Sequence, residues 1–480
     1  MKLEPAACRH LLEASTPMRL YGKVNKVVGL VAEGSGLRAP LGAVCHMLPD
    51  DHGESIAAEV VGFRDGNLLF MPYGDMRGIR PGSRIRNTSL PPVFPVGPDL
   101  LGRAFDAFGM PLDGGPALAV QADSAPVPDP ARAAAFIRQQ EAMRPFLSPH
   151  LNDLRKSWTP ALAPLYAAPP SPLQRPRITD ILDVGVRSIN GLLTLGKGQR
   201  VGIMAGSGVG KSTLMGMMAR YTRADVNVIG LIGERGREVL EFMERDLGPD
   251  GMARSVLIIA TSDQSPLVRM RAAYAATAVA EFFRDCGLDV LMMMDSVTRF
   301  AMAAREVGLA VGEPPTTKGY TPTVFAQLPK LLERAGRSDK GTITGIYTVL
   351  VDGDDFNEPI ADAVRSILDG HIVLTRELAD MGHFPAIDVL RSISRLRSDI
   401  CPAEYVRAGR QVTRMMSVYR KAEDMINIGA YAQGSNPDID RAITAMPDIN
   451  AYLRQEVADA QNVQECFSKL AALAAGPQQA

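Results

Sequence analysis

Little in this chain is built for metal or disulfide chemistry. Its 480 residues include 6 histidines and 5 cysteines. No two histidines stand at metal-ligand spacing, which argues against a dedicated zinc site. Cys8, Cys45, Cys286, Cys401 and Cys466 are scattered, odd in number and without a C-x-x-C pair. That is the usage of a reduced, cytosolic protein. An apolar run of about 18 residues is missing, so no spanning helix is expected. The opening MKLEPAACRHLLEASTP lacks the apolar stretch of a secretory signal. An excess of one charge is missing too: 52 Lys and Arg against 53 Asp and Glu leave a net charge of -1. Such a balance exerts no global pull on nucleic acid or an anionic membrane, although a local basic groove stays open.

Apolar side chains, by contrast, make up 46% of the chain beside 22% charged residues. That excludes a wholly disordered chain and suffices for sizeable cores. At about 100–200 residues per domain the length suggests two to four domains. Residues 18–90 read as short strands separated by Gly and Pro, with Asp65-Gly66 as a hairpin turn, hence a small β-barrel or sandwich. Residues 117–176 are proline-rich and contain the only tryptophan, Trp158. Apart from one short helix after Pro130, extended loop is expected there. From residue 199 short, continuously apolar runs (QRVGIM, NVIGLI, SVLIIA, DVLMMMD, TGIYTVLV) take over, the earlier ones separated by helical stretches. This alternation predicts a parallel α/β sheet covered on both faces. Beyond residue 400 only helical spacing remains, including NAYLRQEVADA. The resulting division is 1–92, 93–398 and 399–480.

The strongest chemical signal is Ala205-Gly-Ser-Gly-Val-Gly-Lys-Ser212, between the strand QRVGIM and the helix STLMGMM. Gly206, Gly208 and Gly210 let the backbone turn its N–H groups toward phosphate oxygens, with Ser207 and Val209 between them. The helix start adds its dipole. Lys211 would reach the β- and γ-phosphates and Ser212 would ligate Mg²⁺. Thr213 follows in the helix. Asp295 ends the strand DVLMMMD, where it could hold Mg²⁺ or cap the next segment. Glu234 stands at another strand tip and could orient the attacking water, with Glu238 as competitor four residues on. Arg391, Arg395 and Arg397 form a cluster from which one could stabilise transition-state charge on a neighbour's nucleotide. The methionines at 215, 217, 218 and 292–294 read as adaptable core. The acidic loop at 352–358 lacks calcium-loop spacing.

Taken together, AGSGVGKST, GERGREV, VLMMMDSVTRFAMAAREVGLAVGEPP, YTVLVDGDDFNEPIADAVRSILD and PAIDVLRSISR resemble the F1/V-type rotary ATPase superfamily, and within it the type III export ATPases. The resemblance runs from about residue 18 to 470, apart from the proline-rich stretch, which is longer than the family's. The segment 428–443, IGAYAQGSNPDIDRAI, is similar to the flagellar branch rather than the virulence-secretion branch.

This resemblance implies an N-terminal barrel, a RecA-like ATPase domain and C-terminal helices, in a homohexamer that binds ATP and Mg²⁺ between subunits. It implies Lys211 and Ser212 at the phosphates, Asp295 at the magnesium, Glu234 as the water-activating carboxylate and Arg395 as the finger. Arg235 is implied near the γ-phosphate and Tyr405 at the adenine. Implied partners are a stator-like dimer, a coiled-coil stalk protein, export-gate membrane proteins, and export substrates with their chaperones. The implied location is cytoplasmic, peripheral to the inner face of the cytoplasmic membrane, without nucleic acid. Competing readings are, first, a virulence-secretion ATPase, then an ATP-synthase catalytic subunit, an RNA-dependent helicase ring and a silent scaffold. The helicase would need aromatic and basic residues interleaved in the barrel, and Tyr21, Phe63, Phe70 and Tyr73 do not form such a motif.

Overall fold

The computed structural model describes residues 20–49, 53–88, 91–118, 161–351, 356 and 358–475. Cys8, Trp158, most of the proline-rich stretch with the short helix expected after Pro130, and residues 352–355 and 357 of the acidic loop lie outside these.

Strands β1 (Tyr21–Val28), β2 (Val31–Ser35), β3 (Val44–Leu48), β4 (Ile56–Arg64), β5 (Asn67–Pro72) and β6 (Arg84–Asn87) close into a barrel in the order β1-β2-β5-β4-β3-β6. Alternate residues turn inward, so Cys45 and Met47 of β3 meet Val24, Val60, Phe70 and Ile85. Asp65 and Gly66 both take left-handed backbone (φ 49° and 79°), the two-residue hairpin that Asp-Gly predicts.

Next come β7 (Val93–Val96), β8 (Arg103–Phe105), β9 (Ala161–Pro164), β10 (Ile181–Leu182) and β11 (Leu195–Gly196). Strand β9 corrects the loop expectation for 117–176: it pairs antiparallel with β7, and Leu165 is buried directly after it. The ladder with β7 gives backbone groups of both strands hydrogen-bond partners, whatever the proline content nearby.

The central sheet adds β12 (Arg200–Ala205), β13 (Val226–Glu234), β14 (Ser255–Thr261), β15 (Asp289–Asp295), β16 (Gly336–Arg337), β17 (Thr342–Leu350), β18 (Gly370–Leu374) and β19 (Ile393–Ser394). Its order is β19-β18-β12-β17-β15-β13-β14-β8, with β16 beside β17. From β18 to β8 all neighbours are parallel. Both faces are therefore apolar. Leu291 and Met293 enter one core while Met292 and Met294 enter the other. Parallel strands also gather their C-terminal ends along one rim, which is where an α/β sheet offers a ligand crevice.

Helices α1 (Arg187–Leu192), α2 (Lys211–Tyr221), α3 (Gly236–Glu241), α4 (Gly248–Ala253), α5 (Pro266–Asp285), α6 (Val297–Val311), α7 (Pro322–Leu332), α8 (Pro359–Ile367) and α9 (Arg376–Asp380) accompany the sheet. After α10 (Arg397–Ile400) the chain is helical: α11 (Ala403–Asn427), α12 (Pro437–Leu453) and α13 (Val463–Ala475). Val412, Met415, Ile449 and Leu470 from these helices join the core on one face of the sheet.

The helical spacing of NAYLRQEVADA is interrupted at Leu453, because Gln455 turns inward. Its amide accepts from the Arg187 N–H at 2.8 Å and donates to the Gly185 carbonyl at 2.8 Å. The segment 428–443 is a helix-start device. Asn436 caps α12 by accepting from the N–H groups of Asp438 and Ile439, and the Tyr431 hydroxyl donates to Asp440 at 2.9 Å.

Candidate active site

The loop 206–210 joins β12 to α2 at the C-terminal rim of the sheet. Gly208 and Gly210 have φ of 78° and 86°. A methyl on Gly208 would touch nothing within 4 Å, so backbone conformation rather than crowding requires glycine there. Val209 is buried and pins the loop to the core, while Ser207 and Gly208 stay exposed.

Three strand tips converge on this loop. The Lys211 ammonium lies 2.5 Å from Asp295 Oδ1 and 3.7 Å from Glu234 Oε1. Asp295 also accepts from the Thr348 hydroxyl at 2.7 Å, a link from β15 to β17 that sequence reading misses. Burial alone would lower the Lys211 pKa, but the carboxylates of Asp295 and Glu234 outweigh it and raise it. The Glu234 carboxyl is pushed up to about 7, first by burial and then by the charge of Asp295, with Lys211 pulling the other way. Glu234 and Glu238 share a hydrogen bond, and accepting it is the main reason the Glu238 pKa is lowered. Of the two carboxylates, Glu234 is the more buried and faces Lys211. Glu238 faces Arg235 at 3.5 Å. The Arg235 side chain itself is 81% exposed.

A cleft of about 460 Å³ opens beside the loop, lined among others by Gly210, Thr213, Met217, Phe384, Pro385 and Gln455. Phe384 is 46% exposed, and its ring lies 3.6 Å from where a Gly210 side chain would begin. Its carbonyl accepts from the Gln455 N–H at 2.9 Å, which ties the C-terminal helices to the cleft.

The three clustered arginines separate. Arg397 is internal: it donates to the Tyr405 carbonyl at 3.1 Å and occupies the space that a side chain at Gly409 would need. Arg391 lies over the Phe356 ring at 4.4 Å. Arg395 is exposed, just beyond the edge strand β19, and donates to the Leu368 carbonyl at 3.2 Å. Leu368 precedes β18, whereas the phosphate loop follows the far end of the neighbouring β12. The five residues of β18 thus separate Arg395 from its own loop by roughly 15 Å, at about 3.3 Å per residue.

Three family models match in order: the ATP synthase alpha/beta family beta-barrel domain at 24–89, the nucleotide-binding domain of that family at 185–394, and the T3SS EscN ATPase C-terminal domain at 401–472. The chain is 49% identical to the "Flagellum-specific ATP synthase" of Bacillus subtilis (strain 168), covering 96% of this chain and 97% of that protein. This chain belongs to the ATP synthase alpha/beta family, among its type III export ATPases. A "Type 3 secretion system ATPase" of Xanthomonas euvesicatoria is 46% identical over 91% of this chain and 90% of its own. The assembled ATPase EscN of enteropathogenic E. coli is 40% identical with a TM-score of 0.81, covering 94% of this chain and 100% of its own. In complex with its central stalk EscO, EscN covers the same shares at 40% identity with a TM-score of 0.79.

Within this export ATPase, Tyr405 stands apart from the cleft. Its ring stacks on Phe467 at 4.4 Å and 17°, in a cluster with Ile400, Val406 and Val463. Two other residues at the site escape the sequence reading. One is Phe384. The other is Arg299, whose stem covers Gly233 beside Glu234 and whose Nε is buried without a hydrogen-bond partner. Gly233 is left-handed at φ 74°, and a side chain there would come within 3.0 Å of Arg299 Cβ.

Proposed function

We propose that the chain hydrolyses ATP in a homohexameric ring and thereby assists export of flagellar proteins. The observation that carries this is the convergence of Lys211, Asp295 and Glu234 on one glycine loop. In this reading Gly206, Gly208, Gly210 and the start of α2 cradle the phosphates, with Ser207, Val209 and Thr213 completing the loop, and Lys211 leaves Asp295 to pair with them. Ser212 and Asp295 offer hard oxygen donors, the set that suits Mg²⁺. Mg²⁺ would neutralise charge developing on the phosphates. Glu234 accepts the proton of the attacking water. Its pKa of about 7 poises it near working pH, and Glu238 steadies the shared proton. Arg299, and Arg235 after rotation, supply further positive charge. Phe384, rather than Tyr405, stacks on the adenine.

Arg395 is too far from its own loop to act there and serves the neighbouring subunit. That placement is what a ring with nucleotide between subunits requires. By analogy with EscN and its central stalk, a stalk protein occupies the ring axis. The stator-like dimer, export gate, substrates and chaperones complete the proposed set. The chain would work at the inner face of the cytoplasmic membrane, and no described helix is long and apolar enough to cross it.

The decisive experiment is hook assembly and swimming in the source organism carrying Glu234→Gln. Loss of both, with the protein at normal level, supports a flagellar export ATPase using Glu234. Normal swimming of a full gene deletion assigns the enzyme to virulence secretion instead.

A further inference from the structure

We infer that Arg376 is a positioning residue for the phosphate loop, acting from behind it rather than on the nucleotide. The inference rests on the ATPase reading above. β12 and β18 pair in parallel with Ala205 opposite Leu374. Two residues beyond each lie Ser207 and Arg376, so sheet register delivers this arginine to the middle of the loop. The Arg376 guanidinium donates to the Ser207 carbonyl at 3.2 Å. Thr375, buried at the end of β18, caps α9 by accepting from the Leu378 N–H, and this fixes the direction in which Arg376 leaves the sheet.

A trans peptide is planar, so the Ser207 carbonyl and the Gly208 N–H point in opposite directions. Holding the carbonyl outward aims that N–H inward, toward the bed of the loop. Gly208 has no side chain to hold it and no neighbour within 4 Å of where one would begin. Its peptide plane needs an external hold, and Arg376 provides it. A cation on the carbonyl also polarises the amide and strengthens its N–H as a donor. Any phosphate chain seated in the loop benefits, whichever phosphate is terminal.

The test compares full-length wild type with Arg376→Ala and Arg376→Lys, measuring ADP and ATP affinity with Mg²⁺ by calorimetry and steady-state hydrolysis. For Arg376→Ala both nucleotides should weaken by about tenfold, the scale of one charge-assisted hydrogen bond, with KM raised alongside and kcat little changed. Arg376→Lys keeps a cationic donor and should recover most of the affinity. Weakening of ATP alone would mean that Arg376 touches the terminal phosphate itself, and overturns the inference. Unchanged affinities, or a fall confined to kcat, overturn it as well. Adenosine binding and the melting temperature without nucleotide should match wild type, and a drop in both for either variant would assign Arg376 a purely structural role. Were wild type itself to bind no nucleotide, the ATPase reading would fail first, which keeps the two failures distinct.

Discussion

Lys211 and Asp295 are paired at 2.5 Å beneath the phosphate loop, with side chains only 12% and 5% exposed. A buried pair of this kind is costly to halve, because removing one partner strands the other charge. Lys211→Ala should therefore destabilise the nucleotide-free chain by about 3 kcal/mol as well as abolish turnover. Urea melts of that variant and of the Lys211→Ala, Asp295→Ala double variant check this. The double variant should be no less stable than the single one.

With Glu234 as the proposed base, its raised pKa should give activity a pH signature. A general base works only when deprotonated, so kcat/KM should climb with pH through about 7 and then level off. Glu234→Gln should retain ATP binding, lose about 10²–10⁴-fold in rate and flatten the profile. A profile that keeps its inflection in the variant would hand the role to Glu238.

Arg395→Ala should leave nucleotide affinity of the isolated subunit untouched and lower turnover of the assembled enzyme by about 10³–10⁵-fold. A mixing experiment isolates the reason. Arg395→Ala and Lys211→Ala chains, each inactive alone, should regain part of the rate when combined, since some interfaces then join an intact loop to an intact arginine. No recovery from mixed assemblies would rule out action between subunits.

Phe384→Ala should weaken ATP and ADP by about 10–100-fold, the energy of one aromatic–base stack, and leave inorganic triphosphate unaffected. Phe384→Tyr should behave as wild type. Tyr405→Phe should change neither affinity, because that ring is already engaged with Phe467.

Lys211, Glu234 and Asp295 were legible because each closes or follows an apolar run, and parallel strands bring such endings to one rim. Arg299 lay inside a motif already singled out, and its signal was a lone cation in the first turn of an otherwise uncharged helix start. Phe384 carried no local signal: it reaches Gly210 only because β18 lies beside β12, a pairing across about 170 residues. Gln455 failed for a related reason, since helical spacing through 450–460 gives way to hydrogen bonds made with residues 185–187. The arginine cluster could not be sorted by spacing, because burial of Arg397 against Gly409 and exposure of Arg395 are decided by the sheet edge.

The distance between Arg395 and its own loop has a bearing on cellular economy. With Arg395 in its proposed role, a newly made copy, still alone, would hold nucleotide without consuming it, because the completing charge would come from a neighbour. Fuel would then be spent only where copies have met, and total turnover would follow the number of finished contacts rather than the amount of protein. Assembly itself would be the throttle, with no separate inhibitor required.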